Sequence, residues 1–225
     1  PDNIIAGSGG TPAQTNIFYG KRHDGKPWHT MIIRGGGMGA GSRMDGHHCA
    51  IFPANGANTP VEIFESDTPL IVESRELVCD SGGPGKMRGG IGRKMVIRVP
   101  DDDRSPMSPT TIAVQAGRFR YPPEGIFGGN HGDRARFLKN GDPADPSGLT
   151  FCEPGDVLAF YSAGGGGCGS ALDRDPETVA KDVINGYVSL ESARKDYGTV
   201  LDPASLEVDP AATEKIRKAA RKKGG

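Results

Sequence analysis

The chain has no CxxC pair, no long apolar run and no excess of either charge. Each absence removes a class of protein. Cys49, Cys79, Cys152 and Cys168 are widely scattered, which argues against a clustered thiolate metal site and predicts free, mostly buried thiols in a reducing compartment. No apolar run approaches the roughly 20 residues that a membrane-spanning helix needs. The opening PDNIIAGSGG lacks the basic segment and apolar stretch that head a secreted chain. A net charge of -1 gives no case for nucleic acid, which requires a concentrated excess of Lys and Arg. The expectation is a cytoplasmic chain with neither membrane nor nucleic acid as partner.

Glycine, in contrast, is abundant: 35 of 225 residues, about twice the usual share of roughly 7%. The glycines cluster as GSGG, GGGMGAG, GGPGKMRGG and GGGG, with no fixed period. Clusters between apolar runs imply tight turns and close backbone approaches. The length allows one large domain or two small ones.

Short β-rich runs bounded by Gly, Pro or Asp dominate the first three quarters. WHTMIIR (28–34), VEIFES (61–66), LIVESRELV (70–78), KMVIRV (94–99), TIAVQAG (111–117), ARFL (135–138) and DVLAFYS (156–162) all read as strands. In VEIFES the alternation of Val61 and Ile63 with Glu62 carries that reading. After residue 174 the pattern turns helical. Asp175-Pro176 opens a helix with Val179, Val183, Ile184 and Tyr187 on one face, Ser189 caps LESARKDY, and Asp209-Pro210 opens a third helix ending KIRKAARKKGG. That last, basic segment is predicted to be solvated or docked on a partner. The fold class is α+β: a mostly antiparallel β domain with glycine-rich loops over residues 1–174, then short C-terminal helices over 175–225.

Several motifs fail on inspection. GGPGKMRGG has Met87 where a phosphate loop has Ser or Thr, and Asp80 where its first Gly belongs. GGGGCG (164–169) matches GxGxxG, but SALDRD separates it from the next helix. Ser81 in CDSGGPG has a protease-like context without the upstream His and Asp contexts or paired cysteines. His47 and His48 beside Asp45 and Cys49 suggest a metal, yet neighbours in an extended segment point to opposite faces. No metal site within this chain is expected.

Taken together, NTPVEIFE, CDSGGPGKMRGGIG and GGGGCGSALDRDPETVAKDVINGYVSLESARKDYG resemble the C-terminal part of the hydantoinase B/oxoprolinase family. Asn58 to Glu62, Asp80 to Gly83 with Arg88-Gly89-Gly90, and the closing GGGG…RDP carry the likeness, and the Gly36, Gly37, Gly39, Ala40, Asp45-Gly46 segment extends it. The resemblance implies a component of an ATP-dependent enzyme acting on cyclic amides, or a carboxylase of acetone or acetophenone. It implies an A-type ATPase subunit holding ATP and Mg, and an N-terminal B part with a possible divalent metal. The family's B components carry that longer N-terminal part, so this chain is expected to be a split subunit, a cleavage product or a fragment, inactive alone. A purely structural assembly module is the remaining alternative. Candidate substrate-binding residues are Gly36, Gly37, Arg43, Asp45, Asn58, Asp80, Ser81, Arg88, Arg118 and Arg120. The glycines would admit backbone to the pocket and the arginines would offer planar donors to an anion; no catalytic residue is assigned.

Overall fold

Apolar alternation along the strands builds two antiparallel sheets that bury their inner faces against each other. In the computed structural model, residues 3–10, 14–54 and 56–223 are described; Pro1, and Gly224 and Gly225 of the basic tail, lie outside them. The first sheet has the order β2 (Pro27–Arg34), β1 (Gln14–Lys21), β5 (Thr110–Gln115), β8 (Leu149–Cys152). The second runs β3 (Ile71–Leu77), β4 (Arg93–Arg98), β9 (Val157–Tyr161), β6 (Arg136–Lys139), β7 (Asp142–Pro143). Phe18, Trp28, Ile32, Ile112 and Val114 from the first sheet meet Met95, Ile97, Phe137, Leu158 and Phe160 from the second. The rings of Phe18 and Phe160 touch edge-on across the interface at 6.1 Å.

Two expectations need correction. VEIFES forms a helix, α1 (Val61–Asp67), not a strand. Phe64 is its one buried side chain and packs edge-on against Phe18 at 5.6 Å, while Ile63 is exposed. With only two turns and one anchor, the helix shows no repeat that could compete with a local alternation. β1 and β8 were not expected as strands. β1 alternates cleanly, with Gln14, Asn16 and Phe18 inward, but its inward positions are polar at one end, and that hides the pattern.

The helices after residue 174 follow their caps. α2 (Pro176–Ile184) is capped by Asp175, whose side chain accepts from Thr178 N. α3 (Leu190–Lys195) is capped by Ser189 accepting from Ser192 N, and α4 spans Pro210–Lys223. Val179, Ala180, Val188, Ala193, Tyr197 and Leu201 form a second hydrophobic cluster with Val183 and Tyr187 packed on it, whereas Ile184 faces solvent. The basic α4 docks on its own chain. Arg217 donates to Arg174 O at 2.8 Å, Tyr197 O at 3.1 Å and Thr199 Oγ1 at 2.9 Å.

Between the sheets and the helices lies a bundle that belongs to neither. Segments within 5–10, 35–49, 81–92, 123–133 and 162–168 lie side by side, joined by backbone bonds such as Gly9 N to Gly37 O, Gly37 N to Ala163 O, Gly90 N to Met38 O and Gly165 N to Gly90 O, all 2.8–2.9 Å. The run Gly164–Gly167 is buried at its centre. A Cβ on these four residues would strike, in order, the carbonyls of Ser81, Met38, Glu124 and Pro84. The first and fourth thus return to the same neighbouring segment, a three-residue repeat like that of polyproline II. These glycines do not have positive φ, so they serve backbone contact and not turns. The opening cluster supplies its own control. Gly37→Ala would drive a Cβ into Gly90 O, whereas at Gly41 the nearest atom is a side-chain carbon at 3.6 Å. Thermal unfolding should show Gly41→Ala within about 1 kcal/mol of the parent and Gly37→Ala largely unfolded.

Candidate functional site

The bundle's rim carries a network of charged side chains, three of them buried. Arg174 at the start of the helical segment grips Asp45 with both arms (Nη1 to Oδ1 2.8 Å, Nη2 to Oδ2 2.7 Å) and also donates through Nε and Nη2 to Asp182 Oδ2 at 3.0 and 2.8 Å. Arg88 donates through Nη2 to the other Asp182 oxygen at 3.2 Å, and its backbone N–H donates to Asp45 Oδ1 at 2.6 Å. Arg88, Arg174 and Asp182 are all buried. Two arginines and two carboxylates therefore alternate around one closed network that fastens segment 43–49 and segment 86–90 to α2. Burial pushes the Asp45 carboxyl up, but the hydrogen bonds and charge of Arg174 outweigh it and hold it below the ordinary 3.8. Burial alone would favour proton loss from Arg174; its bonds to Asp45 and the Asp182 charge reverse this and raise it.

Tyr187 covers the network, with the Arg88 guanidinium 5.1 Å from its ring and the His48 ring at 4.4 Å. His48 Nδ1 accepts from Ile91 N–H at 2.9 Å. His47 is exposed and its carbonyl accepts from Met38 N. Among the described residues no group of three or more His, Cys, Asp or Glu is placed to hold a metal ion. No described helix is long and apolar enough to cross a membrane.

The remaining candidates are spread out. Gly36 and Gly37 are buried in the bundle. Ser81 is buried too, its hydroxyl donating to Val78 O at 2.6 Å and accepting from Gly92 N. Asn58 ties Gly35 N to Cys49 O through its amide and lines a 420 Å³ cavity with Met38, His47, Cys49 and Phe52. Asp80 is exposed with φ 62°, accepts from Ser189 N at 2.8 Å, and borders a 670 Å³ cleft with His131, Asp133, Glu191 and Lys195. Arg118, half-buried with φ 70°, donates to Ser8 O at 3.2 Å; Arg120 and Arg43 are exposed. The structure thus brings Asp45 and Arg88 together, while Asn58 and Asp80 border two different cavities.

Arg174 and Asp182 were not among the expected residues. Arg174 opens the RDP motif, and Asp182 is a charge three positions from the buried Val179 on the inner face of α2; a charge on an apolar helix face signals a buried pair. The GGGGCG segment does not form a phosphate loop. In GGGGCG every amide is taken: Gly164 N by Asp133 O, Gly165 N by Gly90 O, Gly166 N by Gly7 O, Gly167 N by Asn130 O, Cys168 N by Met87 O and Gly169 N by Ile126 O. Such a loop has no N–H left to cradle a phosphate.

A profile of the hydantoinase B/oxoprolinase family matches residues 1–171, spanning both sheets and the bundle. The chain belongs to the hydantoinase B/oxoprolinase family. It is 30% identical to a protein from Pseudomonas sp. (strain NS671) described as the B component of a D-/L-hydantoinase, over 97% of this chain and 36% of that one. It is 29% identical to the beta chain of the caprolactamase of Pseudomonas jessenii, over 97% and 39%. The solved ATP-dependent caprolactamase from that organism superposes with a TM-score of 0.78 at 26% identity, covering 97% of this chain and 39% of that one. The alpha chain of the acetone carboxylase of Xanthobacter autotrophicus is 28% identical over 83% and 29%, and a nucleotide-free acetone carboxylase shares the fold with a TM-score of 0.80 at 23% identity, over 98% and 34%. The chain therefore spans between about a third and two fifths of these hydantoinase and caprolactamase relatives' length.

The network has a pH signature. Burial, and then the charge of Arg88, lower the His48 pKa below its ordinary 6.5. The unfolded chain then binds more protons than the folded one between those two values, so the contribution of His48 is full above about pH 6.5 and is lost as pH falls through its folded value. Thermal unfolding followed against pH should show Tm falling on acidification below about pH 6.5. His48→Asn, whose Oδ1 can accept from Ile91 N–H without titrating, should flatten that fall.

Proposed function

We propose that the chain is the sandwich-and-bundle part of a B-type component in an ATP-dependent enzyme that opens a cyclic amide. The match to the B family across both sheets and the bundle carries this reading, and the likeness to a caprolactamase beta chain over 97% of this one supports the amide. ATP and its Mg are assigned to an A-type partner subunit, and a divalent metal, if one is used, to an N-terminal B part. Phosphorylating the amide oxygen would end the amide resonance and make the ring carbon electrophilic. Water would then add there, the ring nitrogen would leave with a proton, and the acyl phosphate left behind would be hydrolysed to carboxylate and inorganic phosphate.

This chain's share is the wall of a centre completed by other polypeptide. The Asp45–Arg174–Asp182–Arg88 network holds that wall in place, and Arg43, Arg118 and Arg120 offer it donors for an anion. The cleft at Asp80 is the place for proton transfer. His131 borders it beside Asp80 and Asp133, and an imidazole is the side chain most often used to hand a proton on. The bundle is not remote from these cavities, since Pro84 and Gly132 line one and Met38 the other, which weighs against a purely structural module.

A ketone carboxylase is the second reading, favoured by the acetone carboxylase relative. The assay is run on the chain reassembled with an A-type subunit and the remaining B part. Phosphate release driven by hydantoin, caprolactam or 5-oxoproline is expected, with His131→Gln lowering kcat by about 10²-fold or more. Bicarbonate-dependent consumption of acetone without cyclic-amide turnover would replace the first reading by the second.

A further inference from the structure

At the end of the sandwich that abuts the bundle, the core stops being apolar. The first sheet turns Gln14, Asn16 and Arg34 inward there, with Gln14 and Arg34 opposite each other in register. The second sheet turns Arg93 and Ser162 inward on one rung, where Ser162 N donates to Arg93 O at 2.7 Å. All five side chains are at least nine-tenths buried, from 0% to 4% exposed. Arg34 crosses the interior, its guanidinium 4.9 Å from the ring of Phe160 on β9.

The polar accounting of this layer does not close. Arg34 gives one bond, Nη2 to Asn16 Oδ1 at 3.2 Å, and Gln14 gives one, Nε2 to Gly9 O at 3.0 Å. Arg34 Nε and Nη1, Arg93 Nε, Asn16 Nδ2, Ser162 Oγ and Gln14 Oε1 are buried with no partner among the described residues. Nor does any described carboxylate pair with either arginine. Elsewhere the chain handles buried guanidinium groups differently: Arg88 and Arg174 each have carboxylates. Burial, with each neighbouring arginine adding to it, pushes Arg34 down to about 9 and, with Arg75, Arg93 down to about 10. Both values lie above neutral pH, so two like charges remain in a low-dielectric layer. An uncompensated buried charge is strongly unfavourable, and native interiors satisfy nearly all such groups with protein, water or an ion.

We propose that this layer binds one small inorganic monoanion, of chloride or hydrogencarbonate size, between Arg34 and Arg93. Four donor groups with unpartnered atoms face this layer from both sheets: the two guanidinium groups, the Asn16 amide and the Ser162 hydroxyl. Gln14 Oε1, an acceptor, is matched by hydrogencarbonate and not by a halide, so the two ligands are separable. The anion would neutralise the pair and join the sheets where hydrophobic contact has run out. The inference uses residues outside the cavities described above and does not depend on the proposed reaction.

The test uses the purified 225-residue chain. Thermal unfolding is measured at constant ionic strength and at a pH of about 7.5, below the values at which Arg34 and Arg93 would lose their protons, with sodium gluconate replaced stepwise by chloride, bicarbonate or phosphate, and crystals are grown in bromide. Chloride or bicarbonate should raise Tm saturably over gluconate, the more effective one identifying the ligand. An anomalous bromide peak should lie between Arg34 and Arg93. Arg93→Met should lose the anion dependence and, in gluconate, unfold at a higher temperature than the parent, because repulsion and burial are relieved. No anion-dependent shift, a shift with phosphate alone, or a bromide peak without any effect on Tm (an adventitious ion only) each overturns the proposal, and these readouts on the parent chain hold even if the variant fails to fold.

Discussion

The structure depends on how close two backbones can come when neither carries a Cβ. In the bundle, carbonyls lie where side-chain carbons would otherwise stand, and each run of chain finds its hydrogen bonds on several neighbours at once. This solves a problem of burial. A segment outside any sheet or helix carries donors and acceptors that cannot be left dry and unpaired, and here they are paired in three directions instead of one plane. The ends of the sandwich and the start of the helical segment both attach to this lattice, so a methyl group in its centre would displace carbonyls belonging to several distant stretches of sequence.

Charge then fixes what the glycines bring together. A bundle of bare backbone has no side chains with which to recognise its surroundings, and the Asp45–Arg174–Asp182–Arg88 network supplies that recognition at its rim. Removing one partner from such a buried set typically costs about 3–5 kcal/mol, because another charge is stranded. The arrangement also sorts the polar residues by role. Arg88, Arg174 and Asp182, buried, and Asp45, half-buried, are held by several bonds each and position segments, whereas Asp80 and His131 are exposed at the edge of a cleft.

Much of the β architecture was legible because six β-rich runs lie between Gly, Pro or Asp turn signals, and the helices after residue 174 because Asp175, Ser189 and Asp209 open them. The misreadings have physical causes. Val61 and Ile63 alternate, yet α1 needs only Phe64 as an anchor, and a two-turn helix has no period to display. Gln14 and Asn16 are polar but point inward, so β1 did not look like a strand. The glycine clusters were read as tight turns and close backbone approaches; the clusters at 35–39 and 164–167 serve the second, and sequence alone shows only that Cβ is missing, not which of the two reasons applies. Of the buried network, Asp45 and Arg88 were nominated and Arg174 and Asp182 were not; Arg174 lies 129 residues from its partner, a separation that no local pattern bridges.

Native-state amide hydrogen exchange measures the central claim most directly. If the bundle is an integral part of the folded core, the amides of Gly37, Gly83, Gly90, Gly165 and Gly167 should exchange only through global unfolding, at the rates of the β4 and β9 amides. Exchange of those glycines within minutes, orders of magnitude ahead of the strands, would show that they are ordinary loop and would contradict the account.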